Sequence, residues 1–283
     1  MPNNTVFSAY NKTKEKLAAA GVEDFGFEAR VIMRHITGFD NKTILMNYNA
    51  VLTDSQQAKL NEITERRAKR YPLQYILGEW EFFGLRFTVG EGVLIPRADT
   101  ETAVETALKF LENKESPTIL DLCAGSGAIG ISIAVKRPDS RVTLLEKYSE
   151  AAKYLKENIK LNRAENAAFL EGDVLKGDGS DGKYDLIVSN PPYIKAGDVA
   201  ALQPEVRFEP ENALSGGEDG LDFYRAIAKK YMRALTPGGG ICFEAGIDEA
   251  AAVRDILLAE GFYDVHTVKD LAGIERVVFG TVK

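Results

Sequence analysis

Apolar positions in the first 78 residues recur at helical spacing, and capping residues divide them into four segments. The pattern predicts helices over 5–20, closed by Gly21, over 24–37, closed by Gly38, and a short one over 41–47. A fourth spans 53–70, with Thr53 or Asp54 as N-cap and Pro72 just beyond its end. In the second segment Phe27, Val31, Ile32, His35 and Ile36 fall at helical spacing, which predicts one apolar face. At Glu79 the period changes. Trp80, Phe82, Phe83, Leu85, Phe87 and Val89, with Gly84 among them, predict two short strands around a tight turn. Beyond 97, helices over 100–112, 128–137, 149–161, 221–235 and 248–259 alternate with strands over 118–122, 141–146, 167–171, 184–189 and 241–245. Two closing strands are expected over 263–269 and 276–281. Such alternation gives an α/β domain with a mostly parallel sheet and one antiparallel edge. The expected division is a helical domain over 1–78, a hairpin linker over 79–97 and the α/β domain over 98–283.

Composition agrees with two folded domains: 283 residues, 45% hydrophobic and 27% charged, are ordinary globular values. The formal charge is −7, but eleven basic and eight acidic residues in the first 78 make that part +3, leaving −10 in the remainder. A protein that holds duplex nucleic acid by neutralising phosphates leans the other way, so no direct nucleic-acid partner is expected. No run approaches the roughly 18 to 20 apolar residues of a bilayer span, and residues 1–16 carry no signal-peptide h-region. A cytoplasmic protein without a membrane partner is expected. Cys123 and Cys242 lie far apart, in neither a CxxC nor a zinc pattern, so no metal is expected and both thiols read as small apolar side chains. His35 and His266 read as structural. The basic run Arg66, Arg67, Lys69 and Arg70 complements a helix C-terminus; a docking surface is its second reading.

Two segments carry chemistry. In the first, Asp121-Leu122-Cys123-Ala124-Gly125-Ser126-Gly127-Ala128-Ile129-Gly130, a glycine turn joins strand to helix. Such glycines let backbone approach a ligand, and the helix start presents free N–H groups. Gly125, Gly127 and Gly130 formally satisfy G-x-G-x-x-G, with the acidic Glu146 about 20 residues on. A nicotinamide dinucleotide and S-adenosylmethionine both suit that layout, and the loop alone does not choose. In the second, the apolar strand 184–189 stops at Asn190-Pro191-Pro192-Tyr193. Proline cannot continue a ladder and restricts the residue before it, so the result is a stiff corner. Read blandly, this is a strand-ending turn. Read as a site, Asn190 Oδ1 and the Pro191 carbonyl accept the two N–H bonds of a planar amino group, and Tyr193 packs on its plane. If strands 118–122 and 184–189 are neighbours, both segments share one crevice at the carboxyl edge of the sheet. A hydride-transferring enzyme leaves the Asn190 corner without a task.

Residues 121–130, Glu146 and the Asn190–Tyr193 corner resemble motifs of class I S-adenosylmethionine-dependent methyltransferases acting on amide or amino nitrogens. More widely, Pro72-Leu73-Gln74-Tyr75-Ile76-Leu77-Gly78, Phe83-Gly84-Leu85-Arg86-Phe87, Val93-Leu94-Ile95-Pro96-Arg97, Gly216-Gly217-Glu218-Asp219-Gly220-Leu221 and Asp270-Leu271-Ala272-Gly273 resemble the bacterial release factor glutamine methyltransferases. The resemblance implies a Rossmann-like, seven-stranded methyltransferase domain behind a helical substrate-recognition domain, acting in translation termination. It implies methylation of the glutamine in the Gly-Gly-Gln motif of class I release factors, S-adenosylhomocysteine as the by-product, and a monomer. By position it implies cofactor contacts from Asp121, Cys123, Ala124, Gly125, Ser126, Gly127 and Glu146, with Asp173 and Val174 bordering the adenine. Arg97 and Thr100, with Pro96 and Glu101, would close the pocket near the sulfonium, and Asn190, Pro191, Pro192 and Tyr193 would hold the glutamine amide. Ala98 and Ala245 depart from the family's commoner residues. The alternative, a nucleic-acid amino-group methyltransferase, uses the same corner on adenine or guanine but usually carries a basic recognition domain.

Overall fold

The computed structural model describes residues 4–283; the first three residues of the expected helical domain lie outside the described residues. The chain forms two compact units. One is the chain up to Gly78 together with Gln203–Phe208, and the other is Glu79–Leu202 with Glu209–Lys283. The hairpin over 79–97 therefore counts with the second unit instead of standing apart as a linker.

The first unit contains α1 (Val6–Ala19), α2 (Phe25–Thr37), α3 (Asn41–Met46), α4 (Asp54–Ala68) and α5 (Leu73–Leu77). The capping residues act as the sequence suggests. Thr5 accepts from the Ser8 N–H, Thr53 and Gln56 form a reciprocal capping box, and Gly38 ends α2 at φ 70°. Helix α5, five residues between Pro72 and a left-handed Gly78, is too short to show a period in the sequence; a fifth helix is among what the family resemblance implies. In α2 the buried face is Ala29, Ile32, Met33 and Ile36, whereas Phe27 is half exposed. Leu17, Ile32, Met33, Leu60 and Leu73 fill the core of this unit.

Two residues of the basic run, Arg67 and Arg70, prove to be internal braces. Arg67, 4% exposed, forks onto Glu28 at 2.6 and 3.0 Å and reaches Glu205 at 2.8 Å. Arg70 grips the same Glu205 at 2.6 and 2.7 Å, and Arg66 lies over the Tyr71 ring. Burial works against the Arg67 charge, but Glu28 and Glu205 outweigh it and hold its pKa up.

The second unit opens with the antiparallel hairpin β1 (Glu79–Phe82) and β2 (Leu85–Thr88). Phe83 and Gly84 both have positive φ, the turn whose twist matches paired strands. There follow α6 (Glu101–Leu111), β3 (Thr118–Leu122), α7 (Ala128–Lys136), β4 (Arg141–Glu146), α8 (Ser149–Leu161), β5 (Ala167–Glu171) and β6 (Tyr184–Ser189). The chain closes with α9 (Asp222–Tyr231), β7 (Leu235–Glu244), α10 (Ala250–Glu260), β8 (Tyr263–Lys269) and β9 (Glu275–Thr281). The seven-stranded sheet runs β5-β4-β3-β6-β7-β9-β8, with β9 antiparallel to both neighbours. Winding reverses between β3 and β6, and ligands of open α/β sheets bind at such a point.

One boundary differs from expectation. The helix predicted to reach 235 stops at Tyr231, and the strand predicted from 241 begins at Leu235. Leu235 pairs with Tyr184 and Gly240 with Leu186, so Pro237–Gly240 is absorbed as an irregularity within the strand. Among the described residues, no helix is long and apolar enough to cross a membrane.

Candidate active site

The glycine loop is shaped by backbone strain and buried polar pins. Cys123, Gly125 and Gly127 all have positive φ (57°, 56° and 82°), which turns the chain sharply off β3. At Gly130 a Cβ would lie 2.4 Å from Leu144 and 2.8 Å from Asp121 Oδ2, so only glycine lets α7 seat on the sheet. Its N–H donates to Asp121 Oδ2 at 2.9 Å. Glu146, 6% exposed, accepts the Gly125 N–H on Oε2 at 2.9 Å and the Lys147 and Tyr148 N–H groups on Oε1 at 2.8 Å. A carboxylate has about four acceptor positions, so one on Oε2 remains for a ligand hydroxyl. The fully buried Asn158 clamps the loop from α8. Its Nδ2 donates to the Ser126 carbonyl at 2.9 Å and the Thr88 carbonyl at 3.1 Å, and its Oδ1 accepts the Thr88 N–H. Sequence reasoning missed Asn158; the available signal was an amide on the face shared by Ala151 and Leu155.

These elements open a cleft of about 1000 Å³, counting space open to solvent. Asp121, Cys123, Ala124, Gly125, Ser126 and Glu146 line one part of it, and Asp173 and Val174 continue that wall. Arg97, Thr100, Asn190 and Pro192 line another part. Four expected residues do not line it: Glu101, which accepts the Phe83 N–H at 2.8 Å, Gly127, whose Cα faces Ile131 and Leu155, Pro191, and Tyr193, which sits behind the corner against Gly216 and Gly246. Tyr148, Leu175, Pro210, Asn212 and Phe223 line the cleft without having been singled out. Tyr148 follows the acidic strand end and was within reach of sequence reasoning; Pro210 and Asn212 lie in a loop with no periodic pattern.

Burial dominates the electrostatics. It pushes the Asp121 carboxyl up to about 7, with the Gly130 N–H opposing and Glu146 reinforcing. It also raises the Cys123 thiol far above its ordinary value, helped by Glu146 and Asp121, so this thiol stays neutral. Burial also pushes Asp173 up, but the Lys147 ammonium at 3.1 Å and the Leu175 N–H outweigh it and keep the carboxyl low. Arg97 lines the cleft and is also paired with the buried Glu209, which in turn accepts the Ile95 N–H at 3.0 Å. Asn190 Nδ2 donates to Thr100 Oγ1 at 3.4 Å. Among the described residues nothing donates to Asn190 Oδ1 or to the Pro191 carbonyl. Asn190 thus shares a cleft with a backbone cradle suited to a nucleoside, and the Pro191 carbonyl follows it in the chain.

The strand order, the antiparallel β9 and the loop at the switch point define a Rossmann-like methyltransferase. A family model described as PrmC N-terminal domain matches residues 8–78, and one described as methyltransferase small domain matches residues 91–208. The chain is 41% identical over 271 residues to the release factor glutamine methyltransferase of Fusobacterium nucleatum, covering 95% of this chain and 77% of that one. It is 40% identical to that of Geobacter sulfurreducens, covering 98% and 97%. The chain belongs to the release factor glutamine methyltransferase family. Among solved structures, the Thermus thermophilus 16S rRNA N2 G1207 methyltransferase in complex with AdoMet and guanosine shares the fold, with a TM-score of 0.53 at 20% identity, covering 72% of this chain and 50% of that one.

Proposed function

We propose that this protein methylates the side-chain amide nitrogen of the glutamine in the Gly-Gly-Gln motif of class I release factors. S-adenosylmethionine is the methyl donor, and it supplies an electrophilic methyl carbon on a sulfonium. The cleft suits that molecule: the loop brings backbone against it, and Glu146 keeps one acceptor position open. Ala124, Gly125 and Ser126 would hold the methionine part, beside Asp121 and Cys123 in the same wall, with Gly127 giving the loop its turn. Glu146 would accept the ribose hydroxyls, Asp173 and Val174 would border the adenine, and Arg97 and Thr100 would close the pocket beside the sulfonium.

An amide nitrogen is a poor nucleophile because its lone pair is delocalised, so the main work of the protein is orientation and exclusion of water. Asn190 Oδ1 and the Pro191 carbonyl hold the two N–H bonds, Pro192 lines the cleft beside them, and Tyr193 backs the corner. As the nitrogen pyramidalises its protons become more acidic, so both acceptors bind more strongly in the transition state than in the ground state. Orientation of this kind contributes on the order of 7 kcal/mol in favourable cases. No dedicated base is required, since the surplus proton leaves after transfer. A monomeric, cytoplasmic enzyme whose partner is the release factor protein and not nucleic acid completes the reading. The pair of unpartnered acceptors beside the glycine-loop cleft carries it. Offered labelled S-adenosylmethionine with release factor, its glutamine-substituted form, DNA and RNA, the protein should label the unsubstituted release factor alone; label on nucleic acid would overturn the reading.

A further inference from the structure

We propose that Glu209 is a positioning residue that cancels the charge of Arg97, so that the cationic sulfonium of the methyl donor meets no net cation beside the Asn190 corner. The proposal rests on S-adenosylmethionine as the donor and on Asn190 as the residue that receives the substrate amide. Transfer of the methyl group turns the sulfonium into a neutral thioether. A bare cation near that point would therefore weaken the donor and spare the product, the wrong way round for turnover.

Arg97 is placed where its charge matters. It lines the cleft with Thr100 and Asn190. Its carbonyl accepts the Thr100 N–H at 3.2 Å, and Thr100 Oγ1 accepts from Asn190 Nδ2 at 3.4 Å, so two hydrogen bonds link Arg97 to the corner. An attacking nitrogen and the carbon it takes must lie about 3–3.5 Å apart before reaction. A nitrogen held at Asn190 thus brings the sulfonium next to this wall. Like charges a few ångströms apart repel strongly wherever water is partly excluded.

Glu209 answers that charge from behind the wall. Its side chain is 1% exposed and does not line the cleft. Oε1 accepts from Arg97 Nη2, and Oε2 accepts the Ile95 N–H at 3.0 Å, so one carboxylate holds both a side chain and the backbone of the segment 93–97. Pro210, Asn212 and Ala213, which follow it, do line the cleft. Next to them the Leu214 carbonyl accepts the Ile194 N–H at 2.8 Å, just past Tyr193, so the segment runs from the Arg97 wall to the corner. Burial raises the Glu209 carboxyl, opposed by Arg97 and the Ile95 N–H. Lys147, the other cation lining the cleft among the described residues, is matched in the same way, by Asp173 at 3.1 Å. Neither cation is left for the donor to meet alone.

The test compares binding of S-adenosylmethionine and S-adenosylhomocysteine by calorimetry at pH 8, with thermal melting of each variant without ligand. Glu209→Gln still offers an oxygen to the Ile95 N–H but leaves Arg97 unbalanced. Its affinity for S-adenosylmethionine should fall about three- to tenfold further than its affinity for S-adenosylhomocysteine. The double variant Glu209→Gln, Arg97→Gln carries neither charge and should bring the ratio of the two affinities back towards the wild-type value. A merely structural Glu209 would weaken both ligands together; an unchanged ratio in Glu209→Gln, or a ratio still shifted in the double variant, overturns the proposal. If Glu209→Gln does not fold, Arg97→Gln decides. Losing the cation should leave the ratio as it is or move it towards S-adenosylmethionine, and a move towards S-adenosylhomocysteine overturns the proposal. Binding of neither ligand to the wild type refutes the cofactor reading itself, whereas firm binding of both with a ratio indifferent to Glu209→Gln refutes only the role of Glu209.

Discussion

Replacing Asp121 by asparagine removes a buried ionisable group while leaving an amide oxygen able to accept the Gly130 N–H. Asp121 is 1% exposed, and burial lifts its carboxyl from 3.8 to about 7. The folded chain therefore holds this proton more tightly than the unfolded chain does. The stability tied to it is complete below the unfolded value and is lost as pH rises through about 7. Between pH 6 and pH 8 the loss from this one carboxyl is about 1 kcal/mol. Glu244 and Glu249, also raised to about 7 by burial, act in the same direction, Glu249 more weakly because it is only half-buried. Asp139 and Asp219, held down to about 2 by their hydrogen bonds to arginine, lose their contribution only in acid and leave this window clear. Urea denaturation without cofactor at pH 6, 7 and 8 should show the wild type weakening with rising pH. Asp121→Asn should weaken by about 1 kcal/mol less over the same span. Cofactor binding should suffer in the variant even where its stability does not. Parallel stability profiles for the two proteins would refute the assignment of a raised, buried carboxyl beneath the glycine loop.

Two further perturbations follow from packing. Gly130→Ala forces a methyl group against Leu144 and Asp121 and should cost about 1–3 kcal/mol, read as a lowered denaturation midpoint together with weaker cofactor binding. Arg67→Ala strands the Glu28 carboxylate, leaves Glu205 to Arg70 alone, and should cost roughly 3–5 kcal/mol in denaturant unfolding; a loss below about 1 kcal/mol would show that the brace is dispensable.

What the sequence made legible was whatever has meaning residue by residue. Helix caps such as Thr5, Thr53 and Gly38 announce boundaries, and a proline pair after an apolar strand announces a corner. Glycines at 125, 127 and 130 announce a close turn, and the β3–β6 pairing brought these segments to one cleft. What stayed hidden depends on partners distant along the chain. Glu205 lies 135 residues from Arg70, so the basic run showed only its local neighbours and read as a helix-end charge cluster. Pro237–Gly240 carries every local mark of a break, yet pairing of Leu235 with Tyr184 draws the strand through it. Asn158 looked like an ordinary member of a helix. Its role comes from Ser126 and Thr88, which only the fold brings near.

These hidden residues share a logic with the visible ones. Asp121 holds Gly130, Glu146 holds Gly125, Asn158 holds Ser126 and Thr100 holds Asn190, so each wall of the cleft is fixed by a polar group taken out of water. Apolar replacements would suit such positions better on stability grounds alone, since burial raises both Asp121 and Glu244 to about 7. A weak nucleophile explains why they are kept. Where the attacking nitrogen has little intrinsic reactivity, rate depends on how narrowly donor and acceptor are aligned, and polar contacts fix direction where apolar packing fixes only volume. The same requirement accounts for a site whose acidic groups are bound to backbone or cationic partners instead of standing free to exchange protons with substrate. Their titration then reaches the chemistry only through the geometry they hold, and the stability lost at high pH is the cost of that arrangement.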